Sequence, residues 1–356
     1  MRGAMTIKQQ LSQNKIAISK TLTNYLKNKQ KNFSTHSWSK DVFDRLIPFA
    51  TAGKMIRGSM SLVVNELFGN YQPEESLKVS AAIELYQTGL LIQDDVMDQD
   101  ETRRGLPSIY FQYQQFAKQQ DYHNAKQFGE GVGFYVGDIS LFLVFDLLSH
   151  TNLEPDIKNN LYSVFATELA GVVLGQIQDL KLANTNEDIS EDDILKMYMH
   201  KTARYTFLLP FVSGAILAKQ DQLTIKLLKE LADLLGLIFQ IKDDEIGIFG
   251  DTKKTGKPAG NDIREGKKTL FYYHLLKNAD KRNKQKLLSI FGNQNITEAE
   301  IEFVKTQIMD SGVYKKIQNK LETLAKDANK LILQINNNEA QQFFQQLIDY
   351  SLNRQK

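Results

Sequence analysis

Apolar residues return every three or four positions through most of this chain, as at Leu231, Leu234, Leu235, Ile238 and Phe239. That interval is the repeat of one face of an α-helix. Only six prolines interrupt 356 residues, so the periodic stretches run long, and the alternation of a half-buried strand is rare. Turn-forming clusters mark loops near 69–73, 104–107, 184–188, 250–260 and 292–297. One helix start is expected after Ser190, where Glu191, Asp192 and Asp193 put acids in the first turn, and another after Asp138. Residues 118–126 are polar and read as a surface excursion. No tandem repeat and no low-complexity linker divides the chain. The expectation is an all-α, single-domain helical bundle over residues 1–356.

Bulk composition narrows the chemistry. The net charge of +2 argues neither for nor against nucleic acid, and none is expected as a partner; any anion site must be a local cluster. With no cysteine in the chain, disulfides, thiolate metal sites and a cysteine nucleophile are excluded. This fits a reducing compartment, and a cytoplasmic location is expected. The longest apolar runs, such as 139–148 with Asp146 inside it, are too short to span a bilayer, so no transmembrane segment is expected. Residues 1–18 are polar and basic, unlike a secretory signal. Met5 offers a second start, which would make residues 1–4 an addition to the native chain.

Two acid-rich segments recur roughly 150 residues apart, each at the end of an apolar helical stretch. The first is Asp94-Asp95-Val96-Met97-Asp98. Residues four apart share a helix face, so Asp94 and Asp98 point the same way. Paired carboxylates are costly without a cation between them, and hard oxygen ligands suit Mg²⁺, which keeps waters and bridges to substrate phosphates. Taken alone, such a motif is more often a solvated acidic helix end. The second is Asp243-Asp244, and two such helices in one chain make an accidental origin much harder to hold. Carboxylate pairs on helices of a bundle form natural multi-metal sites. Cations accompany them: Lys54 and Arg57 before the first motif, Arg103 and Arg104 after it, Lys201 between the two, and Lys257 and Lys267 flanking Asp262. Arginine and lysine are the usual phosphate ligands. Each alone is a surface charge; together they suggest two diphosphate sites, one with metal and one without.

In order along the chain, the motifs are Gly53-Lys54-Met55-Ile56-Arg57-Gly58, Asp94 to Asp98 with Arg103-Arg104-Gly105-Leu106-Pro107, Gly175-Gln176-Ile177-Gln178-Asp179, Lys201-Thr202-Ala203, and Phe239-Gln240-Ile241-Lys242-Asp243-Asp244, followed by Gly256-Lys257-Pro258 and Gly266-Lys267-Lys268-Thr269. The chain thereby resembles the trans-isoprenyl diphosphate synthases, the farnesyl, geranylgeranyl and polyprenyl family, over about 53–270. The resemblance implies an isoprenoid-synthase helical fold with a central cavity, the motif-bearing core lying at about 40–350, and a homodimer. It implies condensation of isopentenyl diphosphate with an allylic diphosphate through an allylic carbocation. Asp94, Asp98 and Asp243 would hold Mg²⁺, about three ions with substrate bound, with Asp95, Asp179, Asp244 and Asp262 behind them. Arg103, Lys201, Lys257 and Lys267 would support the allylic diphosphate, and Lys54, Arg57, Gln87 and Arg104 the isopentenyl diphosphate. Thr202 and Gln240 would shelter the carbocation, and the departed diphosphate would take the final proton.

Two departures stand out. Gly247 replaces the last Asp of the usual second motif, as in a known subgroup, and Gln87 stands where many members have His. For product length, Leu90 and Gly89 replace the aromatic residues that often stop growth at fifteen carbons, and Tyr86 is either the floor or a residue that faces a neighbouring helix and touches no tail. Gly89→Phe would then shorten a product of about geranylgeranyl length. A class I terpene cyclase and a non-catalytic partner subunit are the alternatives; the first would lack the isopentenyl site, and the second tends to lose Asp or Arg ligands.

Overall fold

The computed structural model describes residues 7–69, 72–185, 189–250 and 260–354. Lys257, the segment Gly256-Lys257-Pro258 and residues 1–4 lie outside the described residues. The fold is all-α, as the helical period implies. By packing, the chain divides into two compact units, Met1–Phe165 with Pro210–Asp221, and Ala166–Leu209 with Gln222–Lys356.

The first unit contains α1 (Ile7–Asn32), α2 (Ser39–Thr51), α3 (Ile56–Phe68), α4 (Pro73–Asp98), α5 (Ile109–Gln119), α6 (Ala125–Ser149) and the start of α7 (Pro155–Asn184). Its centre is α4, which packs against α1, α3 and α6. Pro73 at the first turn and Glu74 and Glu75 behind it start α4 well. Its residues 79–90 are buried on every face. Two two-residue strands, β1 (Thr102–Arg103) and β2 (Leu106–Pro107), pair just beyond α4. The turn between them, Arg104-Gly105, has φ of 56° and 77°, the double left-handed geometry of a tight hairpin.

Three sequence expectations change here. Asp138 lies inside α6, which begins at Ala125 and is capped by Asn124 accepting the Gln127 N–H at 3.2 Å. Its glycines are helical contact points: Cβ atoms at Gly133 and Gly137 would meet Val96 and Gln93 of α4 at 2.8 and 2.7 Å. Joined into one helix, 125–149 is long and apolar enough to cross a membrane by length and composition; the separate runs within it had looked too short. Finally, Gly89 faces α6. A Cβ there would lie 2.8 Å from Leu141 and 3.0 Å from the Gly137 carbonyl, so Gly89→Phe would wedge two helices apart instead of shortening a product.

The second unit continues with the rest of α7, then α8 (Glu191–Tyr198), a ten-residue π-helical segment Met199–Leu208, the first residue of α9 (Leu209–Leu217), and α10 (Gln222–Phe249). After these come α11 (Asn261–Arg264), α12 (Leu270–Asn278), α13 (Lys281–Ile290), α14 (Glu298–Asp310), α15 (Val313–Ile332) and α16 (Asn338–Leu352). Ser190 starts α8 as expected, with a reciprocal capping box to Asp193. The central helix is α10, packed against the π-helical segment, α15 and α16. Gly236 of α10 lets the π-helical segment approach closely, because a Cβ there would overlap Ala203. Such segments are rare and concentrate at functional sites.

Candidate active site

In the first unit, α4 delivers three aspartates at its last turn, and they meet different surroundings. Asp95 is wholly buried. Arg103, brought back by the hairpin, donates from Nε to Asp95 Oδ1 at 2.5 Å and pairs with the same oxygen through Nη2. The guanidinium also reaches Asp100 at 3.2 Å and Asp94 at 3.6 Å. Burial pushes the Asp95 carboxyl up to about 7 against the pull of Arg103, and its Oδ2 is buried with no hydrogen bond among the described residues. Asp94 is partly exposed and Asp98 exposed. Asp95 therefore anchors Arg103, while Asp94 and Asp98 keep oxygens toward solvent.

A cationic group lies in the same unit. The Arg104 guanidinium rests on Gly53, where a Cβ would sit 2.5 Å from Nη1. Lys54 follows directly, and Arg57 stands in the first turn of α3. Gln87 of α4 is 7% exposed.

In the second unit, α10 carries Asp243, Asp244 and Glu245 in its last two turns. Asp244 is buried, accepting from the Tyr198 hydroxyl and from Gln240 Nε2 at 2.9 Å. Burial and the neighbouring Asp262 charge hold its carboxyl well above the usual range, with the Tyr198 and Gln240 donors opposing. Tyr198 in turn accepts the Leu270 N–H at 3.0 Å. Glu245 turns to Lys242 at 2.9 Å and to Gln318 and Tyr314 of α15 at 2.9 and 3.2 Å. Asp243 remains half-exposed, and Arg354 pairs with it at 2.8 Å while lying 3.7 Å over the Phe239 ring.

Lys201, on the π-helical segment, pairs with Asp179 of α7 at 2.5 Å; Thr202 is partly exposed beside it. Lys267 contacts Glu265 at 2.5 Å and Asp262 at 3.6 Å. Any side chain on Gly247 would overlap the Asp262 carboxylate, so the space of the usual third aspartate is filled by an aspartate from α11. Sequence reasoning missed Arg354, Tyr198 and this exchange, since none lies in a recurring motif.

The donor set fits a hard divalent ion. Asp94 and Asp243 each already draw a guanidinium, a cation standing against the carboxylate. Among the described residues no three metal-ligating side chains form a ready-made cluster.

The chain is also similar to known proteins. A family model described as polyprenyl synthetase matches residues 37–308. The chain is 34% identical over 250 residues to a short chain isoprenyl diphosphate synthase of Methanocaldococcus jannaschii, covering 70% of each. It is 31% identical over 256 residues to a geranylgeranyl diphosphate synthase of Saccharolobus solfataricus, covering 71% of this chain and 72% of the relative. The fold matches the crystal structure of a geranylgeranyl pyrophosphate synthase from Corynebacterium glutamicum, complexed with isoprenyl diphosphate and magnesium. The TM-score is 0.90 at 24% identity, over 97% of this chain and 99% of the other.

Proposed function

As the chain belongs to the polyprenyl synthetase family, we propose that it is a trans-prenyltransferase extending an allylic diphosphate with isopentenyl diphosphate to a product of about geranylgeranyl length. Its relatives named short chain isoprenyl and geranylgeranyl diphosphate synthases support this reading. The observation that carries it is the cationic group of the first unit, where the Arg104 guanidinium lies on Gly53 beside Lys54. A second diphosphate needs such a group, and a cyclase acting on one diphosphate does not. The cyclase and the non-catalytic partner find no support in the comparisons.

Asp94, Asp98 and Asp243 would hold Mg²⁺, about three ions with substrate bound, and the bound metal would supply the charge neutralisation that makes the allylic diphosphate a leaving group. Arg103, already held by Asp95, donates to that diphosphate together with Lys201, Lys257 and Lys267. Lys54, Arg57, Gln87 and Arg104 hold isopentenyl diphosphate with its double bond toward the allylic carbon. Carbon–oxygen cleavage leaves an allylic cation, sheltered by the Thr202 hydroxyl and the Gln240 amide oxygen, whose amide nitrogen is engaged by Asp244. The isopentenyl double bond attacks, and the departed diphosphate takes the proton. Tyr86 is buried, its ring edge against Phe165 at 6.3 Å; it closes the far end of the prenyl tail's path.

All of 1–356 acts as one catalytic domain, in the cytoplasm. A second copy of the chain covers the exposed Phe134, Tyr135 and Phe142 of α6; an uncovered apolar face of this kind is characteristic of an interface. The test is a radiolabelled isopentenyl diphosphate assay with each allylic primer, the products resolved by chain length. Incorporation with a twenty-carbon end product is expected. Turnover of an allylic diphosphate without isopentenyl incorporation would sink the proposal.

A further inference from the structure

Helix α3 begins without the cap that its sequence should supply. Its N-cap residue is Met55, in the left-handed region with φ of 54°, and no cap bond comes from that side chain. The first N–H groups of a helix need acceptors, usually from Ser, Thr, Asp or Asn at this position. The acceptor comes instead from α4. The Gly58 N–H donates to Glu84 Oε1 at 2.7 Å, and the Arg57 N–H adds to it. The approach is tight: a Cβ on Gly58 would sit 2.6 Å from the Ser80 carbonyl and 3.1 Å from Glu84 Cγ.

Glu84 is only 4% exposed. A carboxylate so placed is costly unless donors and cations compensate it. Burial raises its pKa, and the Gly58 N–H and the charges of Arg57 and Arg104 oppose that rise. One buried side chain thus meets the backbone at the start of α3 and the field of both arginines assigned to isopentenyl diphosphate. Gln87 stands three residues further along α4.

We propose that Glu84 is a positioning residue for the metal-free diphosphate site: by capping α3 from α4 it fixes the backbone of 53–58, which carries Lys54 and Arg57 and on which Arg104 rests. This rests on the isopentenyl site proposed above. Glu84 touches no substrate. Its cap needs an acceptor oxygen and not a charge, since a negative charge beside the site works against a diphosphate. Glutamine keeps the acceptor and alanine removes it.

The experiment uses the full chain and its Glu84→Ala, Glu84→Gln and Arg57→Ala variants. Isopentenyl diphosphate binding is measured by calorimetry in magnesium-free buffer, and KM for each substrate and kcat are measured with Mg²⁺. Glu84→Ala should weaken isopentenyl binding about tenfold, the scale of a lost helix cap, while the allylic KM and kcat move by less than about threefold. Glu84→Gln should bind within about threefold of the parent or more tightly. Parent-like isopentenyl binding in folded Glu84→Ala overturns the proposal, as does an equal rise in both KM values. If Glu84→Ala does not fold, Glu84→Gln still decides, because a loss beyond about threefold in that variant also overturns it. Arg57→Ala separates the two readings. If it leaves isopentenyl binding unchanged, the site itself is wrong; if it weakens binding while Glu84→Ala does not, only the role of Glu84 is wrong.

Discussion

The ends of α4 and α10 carry the same pair of letters, Asp-Asp, and solve the problem of a buried carboxylate in opposite ways. In each, one aspartate turns inward and its neighbour stays partly exposed. At α4 the inward Asp95 meets a full positive charge, Arg103. At α10 the inward Asp244 meets neutral donors, Tyr198 and Gln240. The first arrangement couples the acid pair to a cation that the proposed chemistry also uses. The second couples it to helix packing, because Tyr198 also receives the Leu270 N–H. What the pairs share is a division: the inward acid is tied into the frame, and the outward acid is the one that the proposed chemistry uses.

The strongest test of that division removes the outward acids. Asp94→Ala and Asp243→Ala should each lower kcat/KM by at least about a thousandfold, ~4 kcal/mol of transition-state stabilisation, with circular dichroism unchanged. Near-normal turnover at saturating Mg²⁺ in either variant would break it.

The contrast between the inward acids predicts a difference in stability. Arg103→Ala strands the buried Asp95 and should cost about 3–5 kcal/mol in denaturant unfolding. Asp244→Asn keeps one acceptor among neutral donors and should cost only about 1–2 kcal/mol. Equal losses would mean that the two ends are not solved differently.

The smallest effect concerns the guanidinium on the outward acid of α10. With Asp243 as the proposed metal ligand, its ion pair with Arg354 would compete with the metal, so Arg354→Gln should lower the Mg²⁺ concentration for half-maximal activity by about two- to threefold, the scale of a half-exposed ion pair. A higher requirement would mean that the arginine helps to hold the site.

The helices, the helix start at Ser190 and both acid motifs were legible in the sequence because each is a local signal. Which acid of a pair turns inward was not, because it depends on partners far along the chain: Arg103 eight residues on for Asp95, Tyr198 on a separate helix for Asp244. Helix α4 hides most. It is buried on every face over 79–90, so periodicity gives no direction to its side chains; Gly89 was read toward the product when it faces α6, and Glu84 drew no notice. The start of α6 was placed after Asp138 and not at Ala125, because sequence gives no view of the close neighbours that its glycines pack against. The π-helical segment carries no composition of its own, and the close approach of its Ala203 to Gly236 is a contact between helices that sequence does not show.

The stretch Pro210–Asp221 belongs with the first unit although it is made after part of the second. It contributes Gly214, where a Cβ would sit 2.7 Å from the Ser61 carbonyl of α3, and Gln220, which donates to the Phe68 carbonyl at 3.1 Å. On the ribosome, α3 therefore waits for these partners. At ordinary synthesis speeds the delay after Phe165 emerges is roughly 3–10 s, during which an apolar surface stands open to chaperones. Vectorial synthesis thus delivers the scaffold of the proposed isopentenyl site early and completes its packing late.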